Sequence, residues 1–377
     1  MRIVYVLTTL GIGGAERQVV AIAERMAARG HDVAIMVLRP RFGHECPTSL
    51  KVVYLGMRKT PGSISLGLLH AHKFLRRFAP DLIHSHTYPA SIAARALRFF
   101  GATPAVLTTI HSTNEGGPNR ARVYRLTDFL SRHTTAVSEA VLKEHIRKHA
   151  APRRKCSVLT NGIDTAEFTP NPEHRKRFRF SLKAGQDFIW FTAGRIAAAK
   201  DYPTLLRALA KVYEAEPQTK LWIAADTNNE EFKRLEEIIG RLGILQRVQW
   251  LGVRTDIPSL LDAADGFVLS SAWEGMPLAI GEAMAMQKPV VATGVGGVRE
   301  LVGEVGALVV PKNADQLAAA MLSVMRSSFE ARQALGCASR QRILDYFKMD
   351  GKAAEWERLY VSLAPARSRA IQPIPAL

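Results

Sequence analysis

The feature that most constrains this chain is an alternation that runs almost end to end: short β-branched runs, each followed by a stretch with helical spacing. In the first half, strands are expected at 3–7, 33–38, 52–55, 82–84, 105–109, 134–137 and 157–159, with helix-period segments such as 15–29, 90–99 and 139–148 between them. Parallel neighbours need a crossover, and that crossover covers the sheet, so this alternation is the pattern of a parallel sheet with helices on both faces. After a polar, basic link at 171–187, read as a solvated connection between two domains, the pattern restarts, with strands expected at 188–193, 221–225, 248–251, 266–269, 289–292 and 307–310. A chain of 377 residues is long enough for two such cores. The reading is α/β, two doubly wound Rossmann-like domains. Residues 1–170 form the first, 171–345 the second, and 346–363 a helix that packs back on the first. The Pro-rich 364–377 is expected to be a disordered tail. Open α/β sheets bind ligands at the carboxyl ends of their strands, so the site is expected in a cleft where the two sheets face each other.

Charge is unevenly placed. Residues 1–165 hold 24 Lys+Arg against 10 Asp+Glu, or +14, which leaves 27 against 24, or +3, for the rest of a chain whose total is +17. A basic half points to a partner with phosphates: a nucleic acid, an anionic membrane or an acidic substrate. Stretches such as HKFLRRF (72–78) and NRARVYRL (119–126) mix cations with apolar residues, which suits an anionic membrane surface. No apolar run reaches the ~20 residues needed to cross a bilayer, and MRIVYVLTTLGIGGAE meets glycines and a glutamate too early for a signal peptide. A cytoplasmic protein is expected, including at the cytoplasmic face of the inner membrane. Cys46, Cys156 and Cys337 are odd in number and lack C-x-x-C spacing, so neither a disulfide framework nor a zinc site is indicated.

Three strand-end loops carry the chemistry. TTLGIGGAERQ (8–18) is a Gly-rich turn opening a helix, where free N–H groups suit a phosphate or a sugar oxygen. It is not the dinucleotide fingerprint, because Glu16 stands where the third glycine belongs. In TAGRIAAAKDY (192–202), Arg195 and Lys200 can converge on a diphosphate, one as a planar fork and the other as a point charge. In SSAWEGMPLAIGEAMAMQKPVVAT (270–293), Pro277 suits the first helical turn. Glu274 then precedes the helix and Glu282 follows within it, roughly 7.5 Å beyond Pro277 along the axis. Each carboxylate can chelate vicinal hydroxyls at a different part of one extended ligand.

The set formed by strand-Gly-Arg-x4-Lys, EGMPLAIGE, PVVATGVGGVRELV, the GGAE loop, DLIHSH (81–86) and NGID (161–164) resembles the retaining glycosyltransferases of family 4, with the GT-B fold, over roughly residues 1–360. The resemblance implies that Glu282 binds the nucleotide ribose and that Glu274 contacts the transferred sugar. It also implies that backbone amides of Gly275, Met276 and Leu278 approach sugar and phosphate, and that Arg195 and Lys200 neutralise the diphosphate. Gly13 and Gly14 match the loop approaching phosphates and acceptor, and His111 matches a histidine beside the donor sugar. Base contacts are expected from backbone atoms near 252–254, with Arg254 among the donor-binding residues. Glu274 and His111 are the catalytic candidates, in positioning and charge-supporting roles. Two departures stand out. AADTNNEE (224–231) replaces the family's Gly-x-Gly turn, and EGMP replaces EGFG or EGLP, so the sugar cannot be read.

The expected activity is transfer of a hexose-type sugar, with retention, from a nucleoside-diphosphate sugar, UDP-sugar first, to a saccharide or lipid-linked saccharide in cell-envelope polysaccharide or lipopolysaccharide synthesis. The nucleotide sugar is a substrate, and no cofactor is expected. No Asp-x-Asp occurs, which removes the usual carboxylate cage for nucleotide-bound Mg²⁺. Two alternatives compete. A sugar-nucleotide epimerase needs acid/base groups on both faces of the sugar, and the first half offers no second set of carboxylates. A noncatalytic carbohydrate- or nucleic-acid-binding protein has no use for Arg195, Lys200 and Glu282 together, so no nucleic acid is expected as partner.

Overall fold

The computed structural model describes residues 1–364 except 42, 100 and 102–104, and the tail expected beyond 364 lies outside the described residues. The chain divides into two units, Met1–Gly162 with the segment from Met349 onward, and Ile163–Lys348. The first runs β1 (Arg2–Leu7), α1 (Gly14–Ala28), β2 (Asp32–Val37), β3 (Lys51–Tyr54), α2 (Pro61–Phe78), β4 (Leu82–His86), α3 (Tyr88–Phe99), β5 (Val106–Ile110), α4 (Pro118–Leu126), β6 (His133–Ala136), α5 (Glu139–Arg147) and β7 (Cys156–Val158). Its seven strands pair in parallel in the order β3-β2-β1-β4-β5-β6-β7.

Side-chain alternation along β1 divides the core of this unit into two layers. Ile3, Tyr5 and Leu7 pack with Val19, Ile22 and Met26 of α1, while Val4 and Val6 pack with Ala71 and Leu75 of α2 and Ala90, Ala94 and Leu97 of α3.

The second unit runs α6 (Pro172–Ser181), β8 (Phe188–Ala193), α7 (Tyr202–Ala215), β9 (Thr219–Ala224), α8 (Glu230–Arg241), β10 (Val248–Trp250), α9 (Ile257–Ala263), β11 (Gly266–Leu269), α10 (Leu278–Ala285), β12 (Val290–Thr293), α11 (Val298–Val302), β13 (Ala307–Val309), α12 (Ala314–Arg326) and α13 (Phe329–Tyr346). Its six strands are again parallel, in the order β10-β9-β8-β11-β12-β13. The order reverses beside β1 in one sheet and beside β8 in the other, which puts the loops after β1, β4, β8 and β11 at the switch points where doubly wound sheets bind ligands.

Two expectations are corrected. The basic stretch 171–187 is not a linker. Asn171 caps α6 by accepting from Glu173 N, and Arg175 and Arg179 grip Asp265 at 2.5 and 2.9 Å. The charges that look solvated in the sequence therefore pin a helix to the second unit, and the expected boundary at 170/171 falls inside that unit. Pro277 is the residue before α10, with ψ of 119°, not its first helical residue.

The last described helix, α14 (Met349–Leu363), belongs to the first unit. Trp356 and Tyr360 enter the layer that holds Tyr5 and α1. Burying an indole removes roughly 200 Å² from water, about 5 kcal/mol of gross hydrophobic stabilisation. Polar contacts fix the register: Glu357 meets Arg29 and His31, each at 2.9 Å, and the Tyr360 hydroxyl lies 2.7 Å from His84 Nδ1 and 3.1 Å from the Tyr5 hydroxyl. Tyr360→Phe strips a partner from two buried polar groups, so the urea midpoint should drop by the equivalent of about 2 kcal/mol. Far-UV circular dichroism should stay unchanged.

Candidate functional site

In the second unit three loops follow adjacent strands, β8, β11 and β12, and hydrogen bonds tie them together. After β8, Tyr202 OH donates to Gly194 O at 2.9 Å, and a short turn over Ala198–Lys200 leads to Asp201, the N-cap of α7. After β11, Ser270 Oγ lies 2.8 Å from Lys200 O and 3.0 Å from Asp201 O, and Ala272 N donates to Ala199 O at 2.8 Å. At the end of β12, Thr293 Oγ1 donates to Ser271 O at 2.6 Å.

These staples bring Lys200 and Glu274 together. Lys200 Nζ and Ser271 Oγ both donate to Glu274 Oε1, each at 2.7 Å, with both charged side chains largely shielded from water. The backbone of Glu274 is set by the turn after β12. Gly296 has φ of +53°, a Cβ there would sit 2.1 Å from Glu274 O, and Gly297 N donates to Gly275 O at 2.7 Å. Only glycine meets both demands.

The other residues singled out in this unit are distributed around that lock. Arg195 is exposed and makes no hydrogen bond or ion pair among the described residues. Gly275 and Met276 are buried in the loop, and Leu278 opens α10. Glu282 lies in α10 with only 4% of its surface exposed, flanked by the buried Gly281 and Ala283. Arg254 does not offer a free fork: Asp256 takes both arms, Nε at 2.8 Å and Nη2 at 2.5 Å. The departure at 224–231 is built from Asx turns, Asp226 Oδ1 accepting from Asn228 N and Asn229 capping α8. Among the described residues, no group of three or more His, Cys, Asp or Glu is placed to hold a metal ion.

In the first unit, Gly13 caps α1 and Gly14 is its first residue. A carboxylate already occupies this turn. Glu16 Oε1 accepts from Thr9 Oγ1 at 2.9 Å, and Oε2 lies 2.6 Å from where a Gly13 Cβ would be. His111 follows β5, its Nε2 2.9 Å from Nδ1 of the buried His86 at the end of β4. Burial pushes the His111 imidazole down to about 4 and holds His84 and His86 well below the ordinary range, so all three are neutral at pH 7.

The structure adds residues that the sequence did not single out as site members. Ser271, Thr293, Gly296 and His86 were legible only as parts of quoted stretches, SSAWEGMPLAIGEAMAMQKPVVAT, PVVATGVGGVRELV and DLIHSH, with no signal that set each apart. Glu115, in a polar loop, accepts from Tyr124 OH at 3.0 Å beside a cavity lined by Arg120, His145 and Lys148. Burial raises its carboxyl to about 7 against the lowering effect of Tyr124, the His111 N–H, Arg120 and Lys148.

Two predictions follow from this geometry. Gly296→Ala must push the Glu274 carbonyl aside, so it should abolish binding at this loop while the sheet still melts cooperatively. Glu115 holds its proton more tightly folded than unfolded, so between pH ~4.5 and 7 the folded state binds the extra proton and its contribution to stability falls as pH rises. Glu115→Gln should remove that slope and raise stability at pH 8 by about 3 kcal/mol, read from urea unfolding at several pH values.

Comparison with known proteins follows the same division. Residues 12–167 match the model described as Glycosyltransferase Family 4, and residues 174–342 match that of Glycosyl transferases group 1. The glycogen synthase of Mycobacterium tuberculosis is 27% identical, over 97% of this chain and 94% of its own. The UDP-Gal:alpha-D-GlcNAc-diphosphoundecaprenol alpha-1,3-galactosyltransferase of Escherichia coli is 27% identical, over 61% of this chain and 62% of its own. Among solved structures, Anabaena Alr3699/HepE in complex with UDP-glucose superposes with a TM-score of 0.84 at 23% identity, covering 96% of this chain and all of that one, 100%. With both units matched in order, the chain belongs to the family 4, group 1 type glycosyltransferases, and its two doubly wound units are those of the GT-B fold.

Proposed function

We propose that the protein is a retaining hexosyltransferase that takes a UDP-sugar and transfers its sugar to a saccharide or lipid-linked saccharide in envelope polysaccharide or lipopolysaccharide synthesis. The observation that carries this reading is the Lys200–Glu274 pair at the mouth of β8 and β11, with Glu282 buried in the helix behind it. Lys200 has three donors and one of them meets Glu274, so the others remain for phosphate oxygens. Arg195, with an open guanidinium, supplies a second cation for the same diphosphate. Glu282 takes the ribose hydroxyls, Glu274 the transferred sugar, and the amides of Gly275, Met276 and Leu278 the sugar and phosphate. The complex of Anabaena HepE with UDP-glucose and the UDP-Gal donor of the E. coli relative support uridine as the base.

In this mechanism the bond from the anomeric carbon to the diphosphate breaks as the acceptor oxygen arrives on the same face, and the departing phosphate oxygen takes the acceptor's proton. Arg195 and Lys200 stabilise the charge that develops on the leaving group, a preorganised electrostatic role. Glu274 and His111 orient the sugar and support its oxocarbenium-like charge. No metal is needed in this scheme, because the two cations do its work. Gly13 and Gly14 face the acceptor, and Glu16 beside them favours sugar hydroxyls there over a second phosphate. An epimerase would not release free UDP, so the product separates the two readings.

The lipid-linked acceptor is supported by the surface of the first unit. No described helix is long and apolar enough to cross a membrane. On α2, however, Leu66 and Leu69 are 56% and 65% exposed beside Lys73, Arg76 and Arg77. Leucines among cations on an outward helix face suit the interface of an anionic bilayer, where each basic residue contributes about 1 kcal/mol. The E. coli relative's named acceptor is a diphosphoundecaprenol-linked sugar.

Two measurements test these readings. A thermal-shift screen of UDP-, GDP- and ADP-sugars should show the largest rise with a UDP-sugar, and Glu282→Gln should weaken uridine and UDP alike by about tenfold, since both carry the ribose. A preference for another base, or an unchanged affinity in Glu282→Gln, overturns the assignment. Vesicles containing phosphatidylglycerol should sediment the protein in low salt, and Leu66→Glu with Leu69→Glu should release it. Equal binding by neutral vesicles contradicts the membrane reading.

A further inference from the structure

The pairing of His86 with His111 decides which nitrogen of His111 carries its proton. Both rings are neutral, so each has one N–H and one lone pair. His86 is 1% exposed and held from both sides: the His84 ring centroid is 3.9 Å away, and the Tyr5 ring stacks at 6.1 Å. His84 in turn is fixed at both nitrogens, by Tyr360 OH at 2.7 Å and Thr109 Oγ1 at 2.6 Å.

The Nδ1 of His86 meets His111 Nε2 at 2.9 Å, whereas its Nε2 is buried with no partner. A buried N–H without an acceptor is costlier and rarer than an unused lone pair. The proton of His86 therefore belongs on Nδ1, where it is donated to His111. His111 Nε2 then accepts, and the single proton of His111 must sit on Nδ1, which is not among the buried unpartnered atoms.

We infer that His86 is a positioning residue that fixes His111 as a neutral donor, presenting Nδ1–H to the ligand and taking no proton from it. A donor suits a sugar hydroxyl or ring oxygen, and it excludes His111 as the general base. Glu115 adds to the geometry by accepting from the His111 backbone N–H at 3.5 Å. The inference depends on the glycosyltransferase reading only for its activity readout, since the tautomer is a property of the protein alone.

The test uses full-length protein labelled with ¹⁵N-histidine, with ring nitrogens observed at pH 7.5 and His111 assigned by its loss in His111→Gln. His86→Asn keeps an N–H donor at the Nδ1 position, and His86→Leu removes it at similar volume. Wild type and His86→Asn should show His111 protonated at Nδ1, and His86→Leu should show a mixture of tautomers. With UDP-glucose as the probe donor, UDP release by His86→Leu should fall about tenfold in kcat, the scale of one lost hydrogen bond, at unchanged UDP affinity, and His86→Asn should restore it. A wild-type His111 protonated at Nε2 overturns the inference, as does a leucine variant with both tautomer and kcat unchanged. If the leucine variant does not fold, the wild-type and asparagine spectra still decide. If no form releases UDP, the activity reading with that donor fails, and the spectra still judge the tautomer.

Discussion

The arrangement depends on one half-buried ion pair at the ends of adjacent parallel strands. Lys200 and Glu274 are far apart in the chain, and each would lose hydration by facing the loops alone. They are held at 2.7 Å because Ser270 ties the second loop to the first, Ser271 shares the carboxylate, and Thr293 and Gly296 bring the third loop under its backbone. A pair of this kind contributes little to stability by itself. What it provides is placement, an ammonium and a carboxylate whose positions are set before any ligand arrives. Preorganisation of that sort lowers the cost of binding and of developing charge.

The two units handle charge in opposite ways. The second keeps ions at its strand ends, Lys200 with Glu274 and Arg254 with Asp256. The first buries neutral titratable groups, His84, His86 and His111, while its excess of cations lies on the surface, as at Lys73, Arg76 and Arg77. A phosphate-rich donor suits the ionic unit.

Much of the fold was legible because parallel strands buried on both faces leave dense β-branched runs such as RIVYVL and DVAIMV. The helices over α2, α4 and α6 were harder. Glycines and serines open the first, and arginines recur every second or third residue among the apolar ones of the other two, so periodicity is weak and tertiary contacts decide, as Arg175 and Arg179 on Asp265 show. The sequence singled out Glu282 by its apolar neighbours, and the structure buries it; Arg195 and Lys200 were singled out by their spacing, and the structure exposes the first and pairs the second with Glu274. The pairing of Lys200 with Glu274 was not legible, because sheet order alone makes their loops adjacent. The same holds for His86 and His111, which meet because β4 pairs with β5. The engagement of Arg254 by Asp256 was two residues away in the sequence, yet nothing in composition favours that partner over a ligand.

The central claim is that Lys200 and Arg195 receive a diphosphate. Calorimetric titration of UDP and of uridine into wild type, Lys200→Ala and Arg195→Ala tests it most directly. The account predicts that each substitution weakens UDP by about tenfold or more, the scale of a lost charge-assisted hydrogen bond, and leaves uridine unchanged. Equal losses for UDP and uridine, or an unaltered affinity for UDP, would contradict it.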